Sequence, residues 1–469
     1  MKASKENKSF RFLFLYVIIN KKLSGKVMEN VKSLPLPTTN ATPMMIIGGL
    51  FFMFGFVTWL NGSLIPFLQT ACELTHIQAY LVTMVFYIAY TVTALPAAMI
   101  LERIGYKNGM VIGLLIMVVG SLLFLPAASA REFSVFLIAL FVLGTGLTLL
   151  QTAANPYIVM LGPKESAAVR ISMMGLLNKG AGIVAPIVFT ALLFSDIAIY
   201  TDQWLNSLPA QSKIEALDAL SERLVIPYLV MAIMLLLLSA MIFKAPLPAI
   251  EHENANADTP KESKRAILQF PQLILGAITL FFYVGVEVIA GDTIGIFGKQ
   301  MGVVNYTQLT SYTMAFMVIA YIIGMLAIPR LISQERALLL SAIFGLVLTT
   351  FIAFIPTNSS FIWQYALFWS SEGVIPDVVM LVAMLGFANA LVWPTLWPMA
   401  LNDIGKYVNT GSALLIMGIS GGAILPFIYG LFADFTGNVQ LSYLVMLPCY
   451  LFILFYAVKG HKMRKWSQR

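Results

Sequence analysis

Residues 270–298 read FPQLILGAITLFFYVGVEVIAGDTIGIFG, an apolar run of 29 residues whose only ionisable side chains are Glu287, Asp292 and the phenol of Tyr283. A helix crosses the roughly 30 Å hydrocarbon layer of a bilayer in about twenty residues, so this run is long enough to span with tilt. Inside lipid every peptide group must find its partner within the segment, which makes the helix the expected form. The alternating ten-residue strands of a membrane barrel are absent.

Eleven further runs of this kind lie outward from it, at 44–70, 77–101, 108–128, 133–161, 168–195, 225–243, 307–329, 337–355, 375–401, 408–433 and 440–458, giving twelve. The composition agrees: 59% of residues are hydrophobic and 11% charged, where a soluble protein carries about 25% charged residues. Cytoplasmic loops are enriched in Lys and Arg. With both termini placed inside, 24 of the 29 Lys and Arg fall in inside loops and tails. Arg131, Lys213, Arg223 and Lys299 fall outside, and Lys179 lies within the fifth run.

The expected fold is therefore an all-α membrane protein with twelve transmembrane helices in two pseudo-symmetric six-helix halves. Residues 1–43 form a basic cytoplasmic tail, 44–243 the first bundle, 244–269 a polar cytoplasmic linker, 270–458 the second bundle and 459–469 a second tail. Residues 1–27 either belong to the mature chain or over-extend it ahead of Met28. The acidic outside stretch 195–223 is expected to hold a short surface helix. The halves echo one another: Phe54-Gly55 and Asn61-Gly62 stand opposite Val284-Gly285 and Gly291-Asp292 at an offset of 230. Gly182-x-x-x-Pro186 stands opposite Gly422-x-x-x-Pro426 at an offset of 240. Paired halves with a substrate site at their interface are the architecture of alternating-access carriers.

Several functions are excluded. Cys72 and Cys449 are far apart with no C-x-x-C spacing, so redox and zinc chemistry are set aside. The net charge of +7 is spread over loops and tails, which argues for topology and against nucleic acid. No phosphate-binding Gly-rich loop followed by Lys-Ser or Lys-Thr occurs, so ATP hydrolysis is unsupported and no cofactor is expected. His76, His252 and His461 all fall in loops or the tail, which removes a histidine proton relay, and no intramembrane Ser-His or His-Asp pair suggests an enzyme.

Charge buried in lipid costs several kcal/mol and marks a pathway or a partner. Lys179, Glu287 and Asp292 are the deep charges. Asp292 has three candidate roles: an ion-coupling carboxylate that responds to a co-transported cation, a role for which Glu287 is also a candidate; one member of a structural ion pair with Lys179, for which Glu287 is equally suited; or a solvated helix end. Glu287 precedes Asp292 by five residues, about 140° around a helix, so the two do not face one ligand squarely on a regular helix. A carboxylate facing a polar cavity also suits adjacent sugar hydroxyls, which makes Glu287 a binding candidate. Amides and aromatic faces complete a sugar site; the mid-helix candidates are Asn61, Gln151, Asn155, Asn178, Asn389 and Trp393, each with interhelical bonding as the plainer role. Trp59, Trp397 and Tyr157 suit packing or the membrane interface equally well.

Four motifs carry a family resemblance: Leu60-Asn61-x-x-Leu64-Ile65-Pro66, Gly146-Leu147-x-x-Leu150-Gln151-Thr152-Ala153-Ala154-Asn155-Pro156, Phe282-Tyr283-Val284-Gly285-Val286-Glu287, and Trp393-Pro394-Thr395 with Gly421-Gly422-Ala423-Ile424-x-Pro426. Through them the chain resembles the fucose:proton symporter family of the major facilitator superfamily, in its bacterial glucose/galactose transporter branch. The resemblance implies a monomeric carrier in the bacterial inner membrane that imports a hexose, glucose or galactose with fucose as a further candidate, together with a proton or sodium ion. A passive hexose facilitator or another carrier without ion coupling is the alternative. The family's two membrane carboxylates fall on Gly62 and Gln151, neither of which takes up a proton near neutral pH. Asn178 matches a family position, while the Gln expected three residues earlier is Gly175. By the half-repeat Asp292 stands opposite Gly62, so the cation-responsive carboxylate is expected to have moved to the symmetry-related helix. Glu102 to Lys107 resembles a degenerate form of the superfamily's charged gate loop, with Arg330 to Arg336 as its counterpart, and a plain positive-inside loop accounts for it as well.

Overall fold

A computed structural model describes residues 41–161, 167–193, 200, 202–247, 264–328, 331–366, 374–405 and 408–466. The tail through residue 40, with the Met28 alternative, and linker residues 248–263 lie outside the described residues. The described residues contain helices and no strand.

Twelve helices are long and apolar enough to cross a membrane. In the first half they are α1 (Pro43–Ala71), α2 (Ile77–Ala94), α3 (Arg103–Ala130), α4 (Phe133–Asn155), α5 (Arg170–Leu192) and α6 (Ala210–Lys244). In the second they are α7 (Pro271–Asp292), α8 (Tyr306–Ala327), α9 (Gln334–Phe354), α10 (Asp377–Ala400), α11 (Leu414–Thr436) and α12 (Val439–Lys462). Each coincides with one of the twelve apolar runs. The main difference is α6, which gains the helical turns Ala210–Glu222 ahead of Val225. That amphipathic piece is the expected surface helix, and Asp218 pairs with Arg131 at 3.1 Å while Lys213 pairs with Glu73 at 2.7 Å. Large apolar side chains such as Leu237, Phe243, Leu326, Phe351 and Leu451 are exposed on the outer surface, as hydrocarbon contact requires.

Several helices are discontinuous where polar residues gather. α1 tightens at Leu60, between Ala41–Trp59 and Asn61–Ala71, where the Ser63 amide donates to the Leu60 carbonyl at 3.0 Å. α7 ends at Asp292, and the short helix Ile294–Gln300 follows Thr293. α10 breaks at Leu391, because Pro394 lacks the amide that would bond the Ala390 carbonyl. Broken helices at mid-membrane are the usual sites of ligand and ion binding in carriers. Near the start of α3 the chain kinks at Gly105, whose φ of 76° favours glycine.

The halves meet along α1, α2 and α5 on one side and α7, α8 and α11 on the other, within one compact unit, Thr42–Arg469. The ring of Tyr80 on α2 meets that of Tyr429 on α11 edge-on, with centroids 5.6 Å apart. At one end of the bundle the second piece of α1 packs on the short helix Ile294–Gln300 and the turn Tyr306–Gln308. Hydroxyls tie that end: Ser63 donates to the Thr307 carbonyl at 2.5 Å, and the Thr190 and Thr307 hydroxyls are 2.8 Å apart. Ser311 donates to the Ile183 carbonyl at 2.7 Å.

Two glycines set the helix spacing within each half. A Cβ on Gly55 of α1 would lie 1.9 Å from the carbonyl oxygen of Asn178 on α5. A Cβ on Gly421 of α11 would lie 1.7 Å from that of Phe281 on α7. Both neighbours are backbone and cannot turn aside, so a methyl must push the helices apart. Replacing Gly55 or Gly421 by Ala is expected to destabilise the protein by about 1–3 kcal/mol. Gly49, whose added Cβ would meet nothing within 4 Å, serves as the control and should accept Ala with no loss. Thermal unfolding of the purified protein in detergent checks this, and equal melting temperatures for all three variants would contradict the packing argument.

Candidate functional site

Lys179 projects from α5 into the seam between the halves, where its Nζ lies 2.8 Å from Oε1 of Glu287 on α7. The two side chains are 10% and 9% exposed, so the pair is screened little by solvent. The hydroxyl of Tyr283, one turn before Glu287, donates to the same oxygen at 2.7 Å. Below the ammonium lies the indole of Trp59 on α1, with Nζ 4.2 Å from the ring centroid. The indole Nε1 donates to Asn178 Oδ1 at 3.4 Å, and Asn178 Nδ2 reaches the Phe51 carbonyl at 3.5 Å. One ammonium on α5 is thus held by a carboxylate and an aromatic face from two other helices. Removing either member of such a buried pair leaves the other uncompensated, at a cost of about 3–5 kcal/mol.

Asp292 has a different environment. It is fully buried, and its Oδ2 accepts from Thr83 of α2, in the other half, at the long distance of 3.4 Å. Its Oδ1 has no hydrogen-bond partner among the described residues. The lysine therefore pairs with Glu287, and the two carboxylates go to different partners on different helices. Opposite Asp292 in the half-repeat, Gly62 has no room for a side chain: a Cβ would lie 2.0 Å from Thr310 Oγ1 and 2.9 Å from the Gly291 carbonyl oxygen. Thr310 is fixed there by donating to that same carbonyl at 2.7 Å.

The remaining sequence candidates are distributed unevenly. Gln151 is half-buried on α4, and its Nε2 donates to the Tyr90 hydroxyl at 2.9 Å. Tyr90 stacks on Tyr87 with centroids 6.0 Å apart, and Tyr87 lies within electrostatic reach of both Asp292 and Glu287. Trp393, half-buried at the α10 break, tilts toward Tyr283 with centroids 6.3 Å apart. Asn155 is half-buried near the end of α4. Asn61 is buried at the α1 break, with its Nδ2 lacking a partner among the described residues. Asn389 is fully enclosed and accepts from the Tyr450 hydroxyl at 2.8 Å, an interhelical bond between α10 and α12.

Sequence inspection assigns no site role to Tyr283, Thr83 or the Tyr87–Tyr90 pair, and leaves Trp59 equally suited to packing or the membrane interface. Tyr283 was recoverable, since a residue four positions before Glu287 shares its helix face. Trp59 sits two residues before Asn61 but was indistinguishable from a packing residue. Thr83 gave no local signal, because only the packing of α2 on α7 and α11 brings it to Asp292. Cys72, just beyond α1, is buried enough to push its thiol up to about 11, which makes it an unreactive thiol.

Comparison with known proteins accords with this architecture. The family model described as Major Facilitator Superfamily matches residues 47–427. A glucose/galactose transporter of Brucella abortus biovar 1 is 36% identical over 418 residues, covering 88% of this chain and 92% of that protein. The L-fucose-proton symporter of Escherichia coli K12 is 26% identical over 438 residues, covering 88% of this chain and 92% of its own length. A crystal structure of the E. coli fucose:proton symporter superposes with a TM-score of 0.67 at 23% identity, over 92% of this chain and all (100%) of that one. The twelve spanning helices thus take a known fold, and the chain belongs to the Major Facilitator Superfamily, in the family of the glucose/galactose transporters and fucose:proton symporters.

Proposed function

We propose that this chain is a secondary active carrier that imports a hexose by alternating access together with a cation, and that Asp292 is the coupling carboxylate. The observation that carries the proposal is the state of Asp292: fully buried, without a positive partner among the described residues, and bonded across the seam to Thr83. A buried carboxylate is neutralised by a proton or a bound cation, because bare charge there costs several kcal/mol. Loading Asp292 and rearranging the seam are thereby linked, which is the requirement for symport.

A sugar as cargo is supported by the named relatives and by the groups at the seam. Glu287, Gln151, Asn61, Asn155 and Asn178 supply acceptors and donors for hydroxyls, and Trp393 supplies an aromatic face for the C–H side of the ring. Asn389, held by Tyr450, supports the wall from behind. Gly62 and Gln151 in place of the two family carboxylates favour a second reading, a passive hexose facilitator. The Lys and Arg asymmetry supports cytoplasmic termini in a bacterial inner membrane, with the hydroxyl-tied end facing outward. The apolar exterior fits a monomer surrounded by lipid.

Three measurements test this. In vesicles with sodium and proton gradients imposed separately, Asp292→Asn should equilibrate labelled glucose or galactose without accumulating it; full gradient-driven accumulation by the variant would rule out coupling through Asp292. Glu287→Gln should raise KM for the sugar at least about tenfold, since a charge-assisted hydrogen bond contributes about 1.5–3 kcal/mol; an unchanged KM would remove Glu287 from the sugar site. For orientation, a Cys at Asn206 in a background lacking Cys72 and Cys449 should react with an impermeant maleimide in intact cells. A Cys at Lys462 should react only after permeabilisation, and the reverse pattern would invert the topology.

A further inference from the structure

The second half contributes two buried carboxylates from one helix, five positions apart, within electrostatic reach of each other. One has a cation and the other has none among the described residues. The titratable groups within electrostatic reach of Glu287 are Lys179 on α5, Tyr283 and Asp292 on α7, Tyr87 on α2, Tyr321 on α8 and Tyr450 on α12. Of these, Lys179 alone brings positive charge.

From this arrangement we infer that Lys179 is a tethered counter-cation, whose ammonium occupies the seat beside Glu287 that a transported cation would otherwise take, so that each cycle carries one exchangeable cation, at Asp292. The inference rests on the proposed cation-coupled sugar transport. The seat has the chemistry of a monovalent cation site. Nζ lies 2.8 Å from a carboxylate oxygen that the Tyr283 hydroxyl also engages, and 4.2 Å from the centroid of an indole ring. Carboxylate and aromatic face each attract a cation, and more strongly when water is excluded. Because the ammonium is bonded to α5 through its own side chain, it neutralises Glu287 without being collected from either solution or released to the other. Glu287 is then free to accept sugar hydroxyls with its remaining lone pairs in every cycle, whatever the external cation concentration.

Removing the tethered charge should therefore create a second exchangeable site. With Lys179→Gln, two mutually repelling buried carboxylates remain, and Glu287 must take its own proton or cation before the carrier turns over. The experiment is sugar accumulation in proteoliposomes with the membrane potential clamped at zero, as a function of the gradient of the driving cation. Wild type should accumulate sugar about tenfold per tenfold gradient, Lys179→Gln about a hundredfold, and Lys179→Gln/Glu287→Gln about tenfold again, since each coupled cation adds one power of the gradient. A Lys179→Gln slope equal to wild type overturns the inference. Should that variant fail to fold, the double variant decides. Measured at sugar concentrations above its raised KM, its retention of single-cation coupling supports the tethered role, and its equilibrating sugar without accumulating it overturns the role by placing coupling on Glu287. Wild type that accumulates sugar against neither gradient would instead refute the underlying transport proposal.

Discussion

The salt bridge from Lys179 to Glu287 joins the two halves inside the bundle, where both side chains are buried. Alone, either charge would be excluded from such surroundings; together, with Tyr283 on the carboxylate and Trp59 beneath the ammonium, they form a neutral polar unit that the seam can hold. Its position follows from the close approach of α1 to α5 at Gly55, which brings the Asn178 backbone against α1 and sets Lys179 over Trp59. On the other side, Gly421 brings α11 equally close to α7 at Phe281, just before Tyr283 and Glu287. The ion pair depends on glycines one to two turns away, and the polar seam depends on the ion pair.

A chain that spans lipid exposes its fold in its composition. Each of the twelve helices was legible as an apolar run, because backbone satisfaction in hydrocarbon leaves few other choices, and the asymmetry of Lys and Arg ordered them. The deep charges were legible for the same reason: Lys179, Glu287 and Asp292 stand out against an apolar background. Which of the two carboxylates pairs with the lysine was not. The answer depends on the azimuth of α5 relative to α7, and that is set by the packing of residues such as Gly182 against Trp59 and Met314, which no periodicity records. Thr83 and the Tyr87–Tyr90 stack escaped notice because they lie on α2 and reach the seam only through the tertiary packing of α2 against α11. At Asn389 packing adds a partner the sequence does not show: its Oδ1 accepts from Tyr450 of α12, while its Nδ2 has no partner among the described residues.

The departure from the family's carboxylate pattern also acquires a physical account. At position 62 the space that an acidic side chain would need is filled by Thr310, which is itself locked to the Gly291 carbonyl. At position 151 a neutral amide meets the Tyr90 hydroxyl, an arrangement that needs no counter-ion. The negative charge of the seam is concentrated on α7, in a single helix of the second half.

The end of the bundle at the short helix Ile294–Gln300 is fastened by neutral bonds of the Ser63, Thr190, Thr307 and Ser311 hydroxyls and by a charged donor, Lys299 to Thr70. A neutral hydrogen bond contributes about 0.5–1.5 kcal/mol net, so a few of them together amount to no more than the binding free energy of a small polar molecule, about 4 kcal/mol at millimolar affinity. Such a fastening is strong enough to hold one shape at rest and weak enough to be released by the occupancy of a single site. The Lys299 ammonium donates to Thr70 across the halves at 3.0 Å, so its hold is the part that rising salt loosens.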